Sequence, residues 1–347
     1  MSAATETVRV AAEAPRGLLD RALKMRELAI LAVLVLMIVG TQIDNSTFLS
    51  QQGIKDLLLN ATILVLVAVG EGVVVITRNV DLSVGSVLGV SAFAAGDYLQ
   101  GGGSPVIAIV IAVAVGALFG VLNGLLVGIG QVPALVVTLG TLYIIRGLDS
   151  VWVGSREITA SQLPSGFVGF GHNGIWAVPY LAILAAVVLI AVAYYLRNFR
   201  SGRECYALGS NPQAAALAGV ATRRRVLAAF VLCGALAGLA GALYLARFGY
   251  SDASTGTGYE LTVVSAVVVG GIGFTGGSGS VYGAALGALL LTSINSVLPA
   301  IGVSSVWVEA IDGILLLLAI SVDRVVALRI AGLLRRRARE ARSAEHG

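Results

Sequence analysis

The chain has 347 residues, of which 57% are hydrophobic and only 12% charged, and its mean hydropathy is +0.91. A water-soluble domain keeps about a quarter of its residues charged, so this composition excludes a soluble globular protein and points to one embedded in lipid. The 44 glycines carry no three-residue period, which excludes collagen, and small residues let membrane helices approach closely. The net charge of +4 comes from basic residues at membrane borders, where anionic headgroups attract them, and gives no reason to expect a nucleic acid.

Residues 1–26 read as a cytoplasmic tail rather than a cleaved signal. Glu6 and Glu13 interrupt them, and Arg16, Arg21, Lys24 and Arg26 stand directly before the first apolar run, as a cytoplasmic anchor does. A bilayer-crossing helix needs about 20 mostly apolar residues. Ten segments qualify, near 28–43, 55–77, 81–99, 105–129, 133–149, 175–196, 225–247, 260–274, 280–299 and 304–322. Two of them, 133–149 and 260–274, are short or glycine-interrupted and read either as full spans or as re-entrant pieces shielded by neighbours. With the N-terminus inside, 19 of the 23 basic residues fall on the cytoplasmic side, and only Lys55, Arg146, Arg156 and Arg247 fall outside. The positive-inside rule then predicts an all-α polytopic membrane protein of about ten spans with both termini cytoplasmic. Residues 27–323 form its transmembrane domain, and 324–347 a basic cytoplasmic tail. Cys205 lies in a basic loop and Cys233 in an apolar run, so no disulfide is expected. With His172 and His346 as the only histidines, no metal-ligand spacing exists.

The most informative polar stretch is the cytoplasmic loop 197–224. Asn211 suits a helix N-cap, Pro212 the first helical position, Ala214, Ala215 and Ala216 the body, and Gly219 the stop. A helix of about two turns is marginal alone in water, so it either lies against the membrane surface or docks on a partner.

Four stretches in order resemble the permease subunits of ATP-binding-cassette importers for ribose, xylose and related monosaccharides. They are Thr77 to Ser86; Asn123-Gly124 through Pro133 to Thr141; Gly202 to Val220; and Gly256 to Glu260 with Val269 to Gly279. The match spans roughly 28–323. Many such permeases carry glycines where this chain has Arg78 and Asn79, and the Thr77-Arg78-Asn79-Val80-Asp81 version is similar to the branch that includes autoinducer-2 and some deoxy-sugar importers. The resemblance implies that two permeases, copies or paralogues, form the pore. It implies that a cassette ATPase docks at a coupling segment carrying Arg203, Glu204, Gly209, Asn211, Pro212, Ala215 and Gly219, and that an extracytoplasmic sugar-binding protein delivers the solute. The chain has no G-x-x-x-x-G-K-[ST] phosphate loop, so ATP and Mg are expected only on the partner, with no cofactor on this chain.

Ionisable and amide groups inside apolar runs are costly and mark candidate functional positions. Glu71, Arg78, Asn79, Asp81, Ser83, Asn123 and Asn295 are the candidates for the translocation path, with Gln131, Glu309 and Asp312 behind them. Two readings apply to the cluster near the second span: Arg78 and Asp81 neutralise each other while Asp81 caps the next helix, or the group lines the path. Segments 71–89 and 265–283 carry a faint echo, Val73-Val74-Val75 against Val267-Val268-Val269 and Gly85-Ser86-Val87 against Gly279-Ser280-Val281. The rival reading is an ion-coupled secondary transporter using Glu71, Glu309 or Asp312. A membrane enzyme lacks any nucleophile–base pair.

Overall fold

The computed structural model describes residues 16–300 and scattered positions between 302 and 321, with side chains on the continuous part from 27 to 298. The predicted span 304–322, with Glu309 and Asp312, and the tail 324–347 lie largely or wholly outside the described residues. The helices run α1 (Arg16–Asp44), α2 (Gln51–Ile76), α3 (Val84–Gln100), α4 (Pro105–Gly124, continued by a π-helical turn Leu125–Ile129), α5 (Ala134–Val153), α6 (Ser165–His172) and α7 (Tyr180–Asn198). They continue as α8 (Arg200–Ser210), α9 (Pro212–Leu217), α10 (Thr222–Phe248), α11 (Tyr259–Val269) and α12 (Val281–Ala300). Among the described residues the only sheet is a hairpin, with Gly174 paired to Pro179 and Ile175 to Val178.

The fold is all-α and polytopic, and among the described residues seven helices are long and apolar enough to cross a membrane: α1, α2, α4, α5, α7, α10 and α12. The remaining predicted spans resolve differently. α3 has 17 residues and is short for a bilayer, but 14 of them are buried, so its neighbours rather than its length hold it. α11 has 11 residues, roughly 16 Å of helix, so the predicted 260–274 span is a partial one. By contrast α5 is a full 20-residue helix, and its glycines Gly140 and Gly147 do not break it. Of the basic residues predicted outside, Arg156 pairs with Asp97 at 2.9 Å and Arg247 with Asp56 at 3.1 Å, and Arg146 donates to the carbonyls of Thr255 and Ala253.

α2 sits at the centre because its sequence is apolar on every side, the pattern of a helix enclosed by others. Every residue from Ala61 to Ile76 is buried. α4, α5 and α7 instead keep Val110, Leu118, Val136, Ile144, Val187 and Ile190 exposed, an apolar surface suited to lipid.

Helix association in lipid has little hydrophobic drive and relies on close packing of small residues. α4 buries Ala108, Ala112, Gly116, Gly120 and Gly124 in four-residue steps, and they press on Phe230, Gly234 and Gly238 of α10. A Cβ added at Gly116 would collide with the carbonyl of Gly234, and one at Gly234 with the carbonyl of Gly116. Bare backbone therefore touches bare backbone. Gly116→Ala should cost about 1–3 kcal/mol as overpacking, whereas Gly140→Ala, whose added methyl meets nothing within 4 Å, should cost nothing. Thermal melting of the detergent-solubilised protein compares the two, and an unshifted G116A would remove the glycine contact from its place in the fold.

Candidate functional site

Four elements bring together a polar knot that is wholly buried. α2 supplies Glu71, the turn into α3 supplies Asp81 and Ser83, the last turn of α4 supplies Asn123, and α10 supplies Cys233; none of Glu71, Asp81, Ser83, Asn123 or Cys233 is more than 1% exposed. The Asp81 amide donates to Glu71 Oε1 at 3.0 Å, and Cys233 Sγ donates to Glu71 Oε2 at 3.7 Å. Asp81 Oδ1 accepts from the Ser83 amide at 2.9 Å and the Ser83 hydroxyl at 2.6 Å, while Asn123 Nδ2 donates to Ser83 Oγ at 2.9 Å. Asn123 Nδ2 also lies 3.4 Å from Asp81 Oδ1. The two carboxyls are met by N–H, O–H and S–H donors, and no arginine or lysine among the described residues pairs with either.

The predicted neutralisation of Asp81 by Arg78 does not occur. Arg78 is exposed, makes no ion pair among the described residues, and holds a left-handed backbone at φ 68°. It ends α2: the Arg78 amide donates to the Val75 carbonyl and the Asn79 amide to the Val74 carbonyl, closing the helix as a Schellman-type stop does. Asn79 turns its amide back onto Thr77. Asp81 satisfies the Ser83 amide two residues on, in an Asx turn, rather than an amide inside α3.

On the arginine-rich side the loop folds as two helices. Asn211 Oδ1 accepts from the Ala214 amide at 3.0 Å, Pro212 opens α9, and Gly219 follows its end at φ 81°, as its chemistry predicts. Ala215 is buried under α9, while Leu217 is 91% exposed. α8 was not legible as a helix because Gly202 and Gly209 are weak helix formers. Its signals were the burial spacing of Gly202, Cys205, Leu208 and Gly209 and the i,i+4 pair Arg200–Glu204. Arg203 turns onto the Asn198 carbonyl.

The two helices are tied into the bundle. Tyr206 Oη donates to the Gly279 carbonyl at 3.2 Å, and Ser210 Oγ to the Gly277 carbonyl at 3.3 Å. The Gly277 amide in turn donates to the carbonyl of Ile76, the last residue of α2, at 2.9 Å. Gly209 must be glycine here, since a Cβ would collide with that same Ile76 carbonyl. A continuous contact therefore runs from α8 through the 270–280 loop to the end of α2, five residues beyond Glu71.

Asn295 is apart from the knot. It lines a cavity of about 390 Å³ with Asn60, Phe248, Tyr259, Thr292 and Ser296, toward the opposite end of α2.

Residues 53–320 match the family described as the branched-chain amino acid transport system / permease component. The chain belongs to that permease family. It is similar to the Autoinducer 2 import system permease protein LsrC of Escherichia coli O9:H4 (strain HS), 36% identical over 295 residues and covering 85% of each chain. The proteins of the same description from Escherichia coli O157:H7 and Salmonella paratyphi B (strain ATCC BAA-1250 / SPB7) are both 37% identical, covering 85% and 83% of each chain. No solved structure matches the chain.

One contact in the permease that sequence reasoning placed only in part is the bridge at Glu204. Its carboxyl accepts from Arg225 at the start of α10 at 2.7 Å and from Arg200 at 2.9 Å. The hydrogen bond from Arg225, more than that from Arg200, holds Glu204 below its ordinary value. A carboxyl lowered on folding stabilises fully above its unfolded value, near pH 4.5, and loses that contribution as pH falls through the lowered folded value. Glu204→Gln should speed amide hydrogen exchange along α8 at pH 7, and wild type should match it only in acid below pH 4.5. Equal exchange rates for E204Q and wild type at pH 7 would show that the bridge does not hold α8.

Proposed function

We propose that this permease is the membrane-spanning subunit of an ATP-driven importer in the bacterial cytoplasmic membrane, carrying a monosaccharide or a sugar-like signal of the autoinducer-2 class. The observation that carries the ATP-driven part is the α8–α9 arm. It presents a capped helix with an outward leucine on the arginine-rich side, and hydrogen bonds tie it to the end of the central helix. A cassette ATPase docks there and supplies ATP and Mg chemistry, an extracytoplasmic binding protein delivers the solute, and a second permease copy or paralogue completes the pore. The similarity to the autoinducer 2 import permeases supports the substrate class.

In this reading the residues have distinct jobs. Asn211 and Pro212 shape the docking helix, Ala215 seats it, and Gly219 stops it. Arg203 and Glu204 hold α8 to its neighbours, and Gly209 lets α8 lie on the α2 carbonyl. Motion of the arm displaces the Gly277 loop and, through Ile76, the inner end of α2. Glu71, Asp81, Ser83 and Asn123 then keep the α2–α3 corner as one piece during reorientation, with Arg78 and Asn79 at its exposed tip.

The test replaces 211–219 with a glycine-serine linker of equal length in the assembled complex. ATP-driven sugar uptake should fall at least to about a tenth, which corresponds to about 1.4 kcal/mol of lost coupling, while the permease still elutes as a folded protein. Unchanged uptake would refute coupling at the arm, and uptake abolished by an uncoupler at constant ATP would put ion coupling in its place.

A further inference from the structure

The cavity near Asn295 has a chemistry of its own. Asn60 lies on α2 and Thr292, Asn295 and Ser296 on α12, both helices long enough to cross the membrane. Amide and hydroxyl side chains on such helices are expensive against lipid and belong against protein or water. Thr292 Oγ1 donates to the Ala288 carbonyl at 2.8 Å and Ser296 Oγ to the Thr292 carbonyl at 3.0 Å. Each hydroxyl hydrogen is thereby spent on the helix, and the oxygen lone pairs remain as acceptors. Asn295 lines this cavity, and its Oδ1 is buried without a hydrogen-bond partner, an unpaired acceptor that calls for a donor.

We infer that this cavity holds the solute during passage and is built for a neutral polyhydroxylated ring rather than for an amino acid. The inference rests on the importer reading and specifies where within the permease the solute sits. Solute hydroxyls supply the donors that Asn295, Thr292 and Ser296 lack, and the amides of Asn60 and Asn295 return donors to solute oxygens. Phe248 and Tyr259 give apolar ring faces for the carbon side of a sugar. The described lining contains no charged side chain, so an amino acid's carboxylate and ammonium would both lose their hydration without a counter-charge, a large penalty in a membrane. The volume, about 390 Å³, lies within the usual range of small-molecule sites, about 300–1,000 Å³.

Ser296→Cys, which exchanges one atom, is made in the full-length permease in cells, with Val187→Cys on the exposed face of α7 as the lipid-side control. Both native cysteines, Cys205 and Cys233, are buried. A membrane-impermeant thiosulfonate should modify S296C and not V187C, and millimolar autoinducer-2 or a neutral monosaccharide from a panel should slow that reaction severalfold while leucine does not. Asn295→Leu, in the S296C background, should abolish the protection without abolishing the labelling. Labelling of S296C no faster than of V187C, protection by leucine, protection by no sugar, or protection that survives N295L would each overturn the inference. None of these outcomes depends on ATP. An assembled complex that lacks ATP-driven uptake while its S296C keeps sugar protection would sink the importer reading and leave the cavity assignment standing.

Discussion

The buried knot of Glu71, Asp81, Ser83, Asn123 and Cys233 hangs on one apolar contact, the backbone-to-backbone crossing of α4 and α10. Gly116 and Gly120 let α4 lie on α10 backbone to backbone, Gly124 takes the Leu227 side chain, and the same crossing sets the positions of Asn123 and Cys233. These are the donors that reach Ser83 and Glu71 from outside the α2–α3 corner. A helix pair held farther apart by side chains would withdraw both donors from a pair of buried carboxyls. The cost would then be that of uncompensated polar groups, about 1–3 kcal/mol each, in addition to lost packing. The glycines of the α4–α10 crossing thus serve the acids indirectly, through Asn123 and Cys233.

The acid pair and the α8–α9 arm meet at the end of α2. Glu71 is held from above by Asp81 and Cys233, and Ile76 is held from below by Gly277. The echo between segments 71–89 and 265–283 has a structural counterpart here. The first is the α2–α3 corner and the second the α11–α12 corner, each a helix that ends in valines, a turn, and a returning helix. The two corners pack on one another, with Ile272 against Gly72 and Gly276 against Arg78. The α8–α9 arm touches both corners at this point, at Ile76 on one and at Gly277 and Gly279 on the other.

The membrane class, the helical architecture and the α9 helix were legible in the sequence because each depends on local chemistry: apolar length, arginine placement, and the Asn-Pro-Ala-Gly order of a short capped helix. Segment 260–274 was flagged as doubtful for its glycines, and the structure makes it the short α11; segment 133–149 carried the same flag, yet Gly140 and Gly147 sit in an uninterrupted α5. Glycine content alone could not separate the two, because tertiary neighbours decide whether a glycine breaks a helix. Glu71, Asp81, Ser83 and Asn123 were singled out as polar groups in apolar surroundings, but their partners were not legible. Arg78 was the sensible partner for Asp81 on charge and distance along the chain. Its left-handed backbone, a conformation that favours glycine, turns it outward instead. Cys233 offered no signal, since a cysteine in an apolar run reads as a small hydrophobe.

The enclosure of α2 has a bearing on how the chain is assembled in its membrane. Glu71 finds its thiol partner on α10, 162 residues later in the sequence, and α7, α11 and α12, which also pack on α2, likewise follow it at long range. During synthesis α2 enters the bilayer well before these neighbours exist. In that interval its carboxyl lacks the thiol partner and faces lipid, water or the insertion machinery, and an ionisable group within a membrane helix is costly to leave unpaired. The second helix made is thus among the last to be finished. A chain that stalls before α10 leaves Glu71 Oε2 without the thiol that caps it in the finished bundle.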